Sequence, residues 1–248
     1  MAYRDKRVLA VVPARSGSKG IPHKNLLPLR GVSLIGWAGR ALANASFVDT
    51  RIISTDSQAY ADEGRRYGLE VPFLRPAALA SDSAGALEML QHALAASEAA
   101  YECRFDIMLV IEPTSPLRLA ADLERATRLL VDSGADSVVT VSHIDAKHHP
   151  LKVFRVDDGW LRYFDTRGAD VQRRQQLSPL YTRNGVCYAI SRASLAEQGR
   201  IISDRTLALV IDRSVVNIDT MLDVALAEVL LERAGCDVPS PVTGEDAT

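Results

Sequence analysis

The stretch RVLAVVPARSGSKGIPHKN, Arg7 to Asn25, decides the fold: Val8 to Val12 are apolar without interruption and run straight into glycines, serines and basic residues. A run this short does not make a helix. It reads as a strand buried on both faces, as in a parallel sheet. The loop that leaves it combines Gly17 and Gly20, which let the backbone bend and expose its N–H groups, with Arg15, Lys19 and Lys24, whose charges suit a polyphosphate. It matches neither common phosphate motif, because the order Gly17-Ser18-Lys19-Gly20 before Pro22 is neither GxxxxGK[ST] nor GxGxxG. A solvated turn is the plain alternative. The three basic residues at a strand end favour an anion.

Outward from this loop the chain alternates. Ser33 to Ala45 reads as a helix, Arg51 to Ser54 as a strand and Gln58 to Tyr67 as a helix ending at Gly68. Ser81, Asp82 and Ser83 offer N-caps to a helix with Leu87, Leu90 and Leu94 on one face, and Phe105 to Ile111 is a second continuously apolar strand, ending in Glu112 to Arg118. A helix aligning Leu123, Ala126 and Leu130 precedes the strand Ser137 to Ser142. Such alternation predicts an α/β fold, a mainly parallel sheet covered by helices on both faces. From His143 the rhythm breaks into short antiparallel segments (KVFRV, WLRYF) and a polar RRQQ, read as an insertion over 143–180. The core, 1–142, then resumes over 181–236 with strands at Asn184 to Ile190 and Leu207 to Ile211. It closes with a helix from Thr220 to Leu231 that carries Leu222, Ala225, Leu226 and Val229 on one face; residues 237–248 read as a flexible tail.

Composition narrows the function. The 248 residues suit one large domain, and a formal net charge of −2 gives no basic field for nucleic acid. No apolar run approaches the roughly 20 residues that span a bilayer. The start lacks a signal peptide's apolar region, so a cytoplasmic protein with no membrane partner is expected. Cys103, Cys187 and Cys236 form no CxxC pair and read as buried thiols.

ARSGSKGIPHKN, with LRPAALASD (Leu74 to Asp82), PTSPLR (Pro113 to Arg118), HHPLK (His148 to Lys152), RRQQLSPLYTRNGVCY (Arg173 to Tyr188) and NIDT (Asn217 to Thr220), resembles the N-acylneuraminate cytidylyltransferases, the CMP-sialic acid synthetases, in order and spacing. The resemblance spans most of the chain. Kdo-specific relatives typically carry a Ser-Thr-Arg version of the first loop, so SKGIPHKN favours the nonulosonic-acid branch. The resemblance implies a three-layer α/β/α Rossmann-like nucleotidyltransferase fold with a small β-rich dimerisation insertion. It also implies a homodimer that uses CTP and Mg²⁺ to activate a nonulosonic acid, releasing pyrophosphate. The anomeric hydroxyl would attack the α-phosphorus in line, so catalysis would be positioning plus neutralisation of charge.

Arg15, Lys19 and Lys24 would supply that neutralisation. By resemblance Ala14, Ser18, Asn25, Arg75 and Ser83 join Arg15 at the nucleotide, although Arg75 reads equally as a surface arginine and Ser83 as an N-cap. For the sugar acid the resemblance points to Glu112, Thr114, Ser115, Lys152, Arg183, Asn184 and Tyr188, with Arg174 a candidate from a segment that also reads as a solvated face. His148 and His149 are adjacent, with no further ligand at metal spacing, and read as structural. The metal is assigned by resemblance to Asp219 and Asn217, although Asp219 and Thr220 also stand where the last helix needs an N-cap.

Two positions depart from the pattern. Asn217 stands where the family commonly has the first acid of Asp-Ile-Asp, and Glu112 stands where many members have glutamine. Ionised glutamate only accepts hydrogen bonds, so if it touches the substrate the acyl or hydroxyl pattern there would differ from N-acetylneuraminate, which leaves a legionaminic-type acid open; pairing with Arg118 or another base is its structural alternative. Phe154, Trp160, Tyr163 and Phe164 give the insertion more apolar surface than a hairpin can bury, which a second copy would cover. The aromatic pair that reaches across the family's dimer aligns near Arg200 and Ile201, so that contact does not carry over.

Overall fold

A computed structural model describes residues 5–17, 20–81 and 83–234. Ser18, Lys19, Asp82, Cys236 and the expected tail lie outside the described residues. The strands are β1 (Val8–Pro13), β2 (Pro28–Leu29), β3 (Val32–Ser33), β4 (Thr50–Ser54), β5 (Ile107–Val110), β6 (Ser137–His143), β7 (Phe154–Asp157), β8 (Trp160–Tyr163), β9 (Tyr181–Ser191) and β10 (Thr206–Val210). The helices are α1 (Leu34–Ala43), α2 (Gln58–Arg66), α3 (Ala86–Ala100), α4 (Ala120–Ser133) and α5 (Met221–Arg233).

The main sheet has the order β10-β6-β9-β5-β1-β4. Side chains of β1 alternate between two cores: Val8, Ala10 and Val12 pack with Ile35, Ala38 and Leu42 of α1 and Leu123, Ala126 and Leu130 of α4. Leu9 and Val11 pack with Met89, Leu90, Ala93 and Leu94 of α3. Two-sided burial is what made the apolar run continuous. β1 is parallel to β4 and β5, and β10 to β6. The strand expected at Asn184 to Ile190 is longer and runs antiparallel between β5 and β6. Its register on β6 shifts between Val139 and Val141, a bulge beside Gly185, whose φ is +70°.

Two helix expectations need correction. Ser81 and Ser83 do not cap α3: its N-cap is Gly85, whose N–H donates to Glu88 Oε2 at 3.1 Å, while the hydroxyls of Ser81 and Ser83 meet each other at 3.2 Å. On α5 the buried face is Val224, Ala227 and Leu231, whereas Leu222, Ala225, Leu226 and Val229 are exposed. The helix carries two apolar stripes of the same period, and periodicity alone does not say which one meets the core. Thr220 is its N-cap, accepting from Asp223 N–H, so Asp219 stands just outside the helix.

Residues 143–180 hold a hairpin, β7 antiparallel to β8, turned at Asp158 and Gly159, both with positive φ as a tight hairpin turn requires. Cys187 is buried, as expected, but Cys103 is only partly so. Among the described residues no helix is long and apolar enough to cross a membrane.

Candidate active site

β1, β4 and β5 are parallel, so the segments that leave their carboxyl ends share one rim of the sheet, where open α/β folds bind ligands. Two clefts open there and share Pro13 and Arg15. The first, about 290 Å³, lies between Arg15, Arg75, Leu79, Ser81 and the start of α3 at Gly85 and Ala86. Arg75 is only 6% exposed, which sets aside its reading as a surface arginine. Its Nε donates to Ser54 Oγ at 3.1 Å, and its Nη2 to the Ser54 carbonyl. Burial, reinforced by the nearby Arg15 and opposed by Asp56, brings the Arg75 guanidinium down to about 10. Arg15 Nη1 reaches the Ser81 carbonyl at 3.0 Å, and its own carbonyl accepts from Asn25 Nδ2 at 3.3 Å.

The second cleft, about 340 Å³, is lined by Arg15, Gly20, Lys24, Asn25, Glu112, Pro113, Thr114 and Asp219. Lys24 Nζ donates to the Ile218 carbonyl at 2.8 Å and to Asp219 Oδ1 at 2.7 Å. The lysine is mostly sheltered, the aspartate 73% exposed. Gly20 packs against this segment so closely that a Cβ would lie 2.9 Å from the Asp219 carbonyl.

Lining that cleft too is Glu112, whose carboxyl is raised above the ordinary value: burial raises it most, Arg118 and Arg183 oppose, Asp219 adds to the rise, and the neighbouring Tyr188 hydroxyl opposes it. Burial pushes the Tyr188 hydroxyl up to about 12, with Glu112 adding to the rise and Arg183 opposing it. A Cβ on Gly185 would collide with Glu112 Oε2 and stand 3.2 Å from Asn217 Nδ2, which places the two departing side chains beside the same glycine. Glu112 does not depend on Arg118 alone. The Arg118 guanidinium spends its bonds on the carbonyls of Glu112, Gly185 and Val186, clamping the end of β5 to the bulge of β9.

A family model described as cytidylyltransferase matches residues 9–205 of the chain. The chain belongs to the cytidylyltransferase family. A CMP-N,N'-diacetyllegionaminic acid synthase of Legionella pneumophila is 32% identical to this cytidylyltransferase, covering 91% of this chain and 97% of its own. An N-acylneuraminate cytidylyltransferase of Streptococcus agalactiae is 32% identical over 81% of this chain but only 47% of its own. Among solved structures, a CMP:2-keto-3-deoxy-manno-octonic acid synthetase complexed with CTP has a TM-score of 0.66 at 17% identity, covering 92% of this chain and 99% of that one. At that identity the likeness is one of fold.

The remaining expected site residues of the cytidylyltransferase fall into three groups. Ala14 is buried, with its N–H on the Ser54 carbonyl, and Ser115 is fully buried, its hydroxyl donating to the Asn184 carbonyl. Asn184 is itself consumed internally: Oδ1 accepts from Thr140 Oγ1 at 2.7 Å and Val186 N at 3.1 Å, and Nδ2 donates to Ser142 Oγ at 3.0 Å. Ser83 is exposed at the side of the first cleft. Lys152 and Arg174 stand in short helical turns of the insertion and line neither cleft. The sequence reading passed over Asp56, just beyond β4, whose Oδ1 and Oδ2 accept from Ser16 N and Oγ at 2.9 and 2.6 Å. An acid at a strand end facing a basic loop was the available signal.

Proposed function

We propose that this cytidylyltransferase transfers a cytidylyl group from CTP to the anomeric hydroxyl of a nonulosonic acid, releasing pyrophosphate. The observation that carries the reading is the meeting of two clefts at Arg15: one between Arg75 and the start of α3, sized for a nucleoside, and one lined by Arg15, Lys24, Glu112 and Asp219. A triphosphate spanning them would lie along Arg15 and Lys24, which neutralise charge as the bond to pyrophosphate breaks. The sugar acid would occupy the end near Glu112, Arg183 and Tyr188. There Arg183 offers a planar partner for its carboxylate and Glu112 accepts from its hydroxyl or amide donors.

The donor set fits a hard cation that arrives with the nucleotide. Among the described residues no group of three or more His, Cys, Asp or Glu forms a cage. Mg²⁺ usually takes one or two carboxylates and fills its shell with phosphate oxygens and water. Asp219, exposed at the cleft, would hold it, with Asn217 beside it; the ion would supply charge neutralisation at the phosphates. Lys24 must exchange partners for this to happen. Lys24 Nζ would give up Asp219 Oδ1 while keeping the Ile218 carbonyl, and Asp219, the exposed member of the pair, would turn to the ion.

Within the nonulosonic acids we favour a legionaminic-type substrate over N-acetylneuraminate. The supports are the Legionella relative, which matches along nearly its whole length, and the acid at position 112. The insertion supports a homodimer: Val156, Trp160, Leu161 and Phe164 are each about two-thirds exposed or more on a hairpin that a second copy would cover. Pyrophosphate release from CTP over a panel of 2-keto sugar acids, with and without Mg²⁺, tests the reading. Turnover with a legionaminic-type acid above N-acetylneuraminate is expected; turnover with none of the panel would defeat it.

A further inference from the structure

We propose that Asp56 is a positioning residue of the nucleotide cleft: by accepting from both the main-chain N–H and the hydroxyl of Ser16, its carboxylate sets the shape of the loop that receives the triphosphate. The inference rests on the functional reading above and names a residue outside the set that reading uses.

The geometry begins with the sheet. β1 and β4 are neighbours in parallel register, Pro13 beside Ser54, and Ala14 N–H donates to the Ser54 carbonyl. Beyond that last rung the strands part, and nothing in the ladder fixes the direction of the next residues. Asp56 does. Its two oxygens take the two donors of Ser16, at 2.9 and 2.6 Å, so the serine is held by backbone and side chain at once. Ser16, where the backbone bends, lies between Arg15, whose guanidinium reaches the Ser81 carbonyl across the first cleft, and Gly17. A rotation at Ser16 therefore swings the shared wall of both clefts.

A carboxylate beside a triphosphate loop would repel the ligand if its charge were uncompensated. Here Arg75 supplies the counter-charge from a buried position, fastened to Ser54. Partial burial works to raise the Asp56 carboxyl. The hydrogen bonds from Ser16 and from its own N–H, with the charge of Arg75, outweigh that and hold it below the ordinary value. The acid is ionised at neutral pH and serves as a two-point acceptor.

The test compares wild type with Ser16→Ala, Asp56→Asn, Asp56→Ala and the Ser16→Ala/Asp56→Ala double variant, by CTP titration followed calorimetrically and by steady-state pyrophosphate release. Asp56→Ala is expected to weaken CTP binding and lower kcat/KM for CTP roughly 10- to 100-fold, with KM for the sugar acid within about twofold. The double variant should be no worse than Asp56→Ala. Asp56→Asn should recover most of the loss, because its amide accepts from the Ser16 N–H and donates to its hydroxyl. An unchanged CTP titration in Asp56→Ala overturns the proposal. So does a loss spread equally over CTP and sugar acid that Asp56→Asn fails to rescue, the mark of a merely structural residue. Wild type that binds no CTP would bring down the functional reading and this inference together; wild type that binds normally leaves the variants to decide the inference alone.

Discussion

Gly185 leaves no room for a side chain. Its φ of +70° lies in the left-handed region, and its open side is filled by the Glu112 carboxylate. Gly185→Ala is expected to cost roughly 1–3 kcal/mol from backbone strain alone, read as a lower denaturant midpoint, and to displace Glu112, read as a raised KM for the sugar acid. Asn217 stands on the same spot, so Asn217→Asp sets a second acid near Glu112, a group that burial already disfavours as a charge. Without metal that variant should melt lower than wild type, and its Mg²⁺ requirement for half-maximal rate should fall. Adding Glu112→Gln should restore the melting temperature; an unchanged melting curve in Asn217→Asp would show the two side chains to be uncoupled. None of this closeness was legible in the chain, where residues 112, 185 and 217 are far apart and share no local period. The separate oddity of Glu112 and Asn217 was legible, because each replaced an expected residue type.

Elements were legible where one face is apolar and the other polar, and ambiguous where both are apolar. α4 showed Leu123, Ala126 and Leu130 as a single stripe, and that stripe is buried. α5 showed the wrong one of its two. β9 showed the same continuous apolar run as β1, because strands buried on both faces look alike whichever way they run. The end of α3 is held by charge: Glu98 receives Arg192 Nε at 2.8 Å and the Phe105 N–H at 3.1 Å, tying the helix to the segments that flank the sheet. The Arg192 bond, against some burial, holds the Glu98 carboxyl below its ordinary 4.5. A depressed folded value means that the stabilisation is complete above the ordinary value and drains away as pH falls through the folded one. Glu98→Gln should therefore melt lower than wild type at pH 7, by the equivalent of about 1.5–3 kcal/mol for a charged hydrogen bond, with the difference closing below pH about 4. A difference that stays constant with pH would show that the charge is not its source.

Across the molecule, the sheet sorts function by the ends of its strands: both clefts lie where β1, β4 and β5 finish, and the insertion leaves beyond the end of β6. That layout followed from the alternating pattern of strands and helices. The apolar excess of the insertion was legible as well, in its aromatic residues, and Trp160 is 70% exposed on β8. Sedimentation of wild type is expected to show a dimer, and Trp160→Ser with Leu161→Ser to shift it toward monomer without loss of folded signal; a variant that remains dimeric would place the contact elsewhere.

Lys24 and Asp219 neutralise each other across the second cleft. For a triphosphate to engage the lysine, the aspartate must lose its partner, and for a cation to engage the aspartate, the lysine must be let go. Each of the two proposed ligands would thus prepare the other's place. If the cleft takes a nucleotide and a cation as proposed, reciprocity makes the factor by which the cation tightens the nucleotide equal to the factor by which the nucleotide tightens the cation, and a single ion pair would couple the two positively.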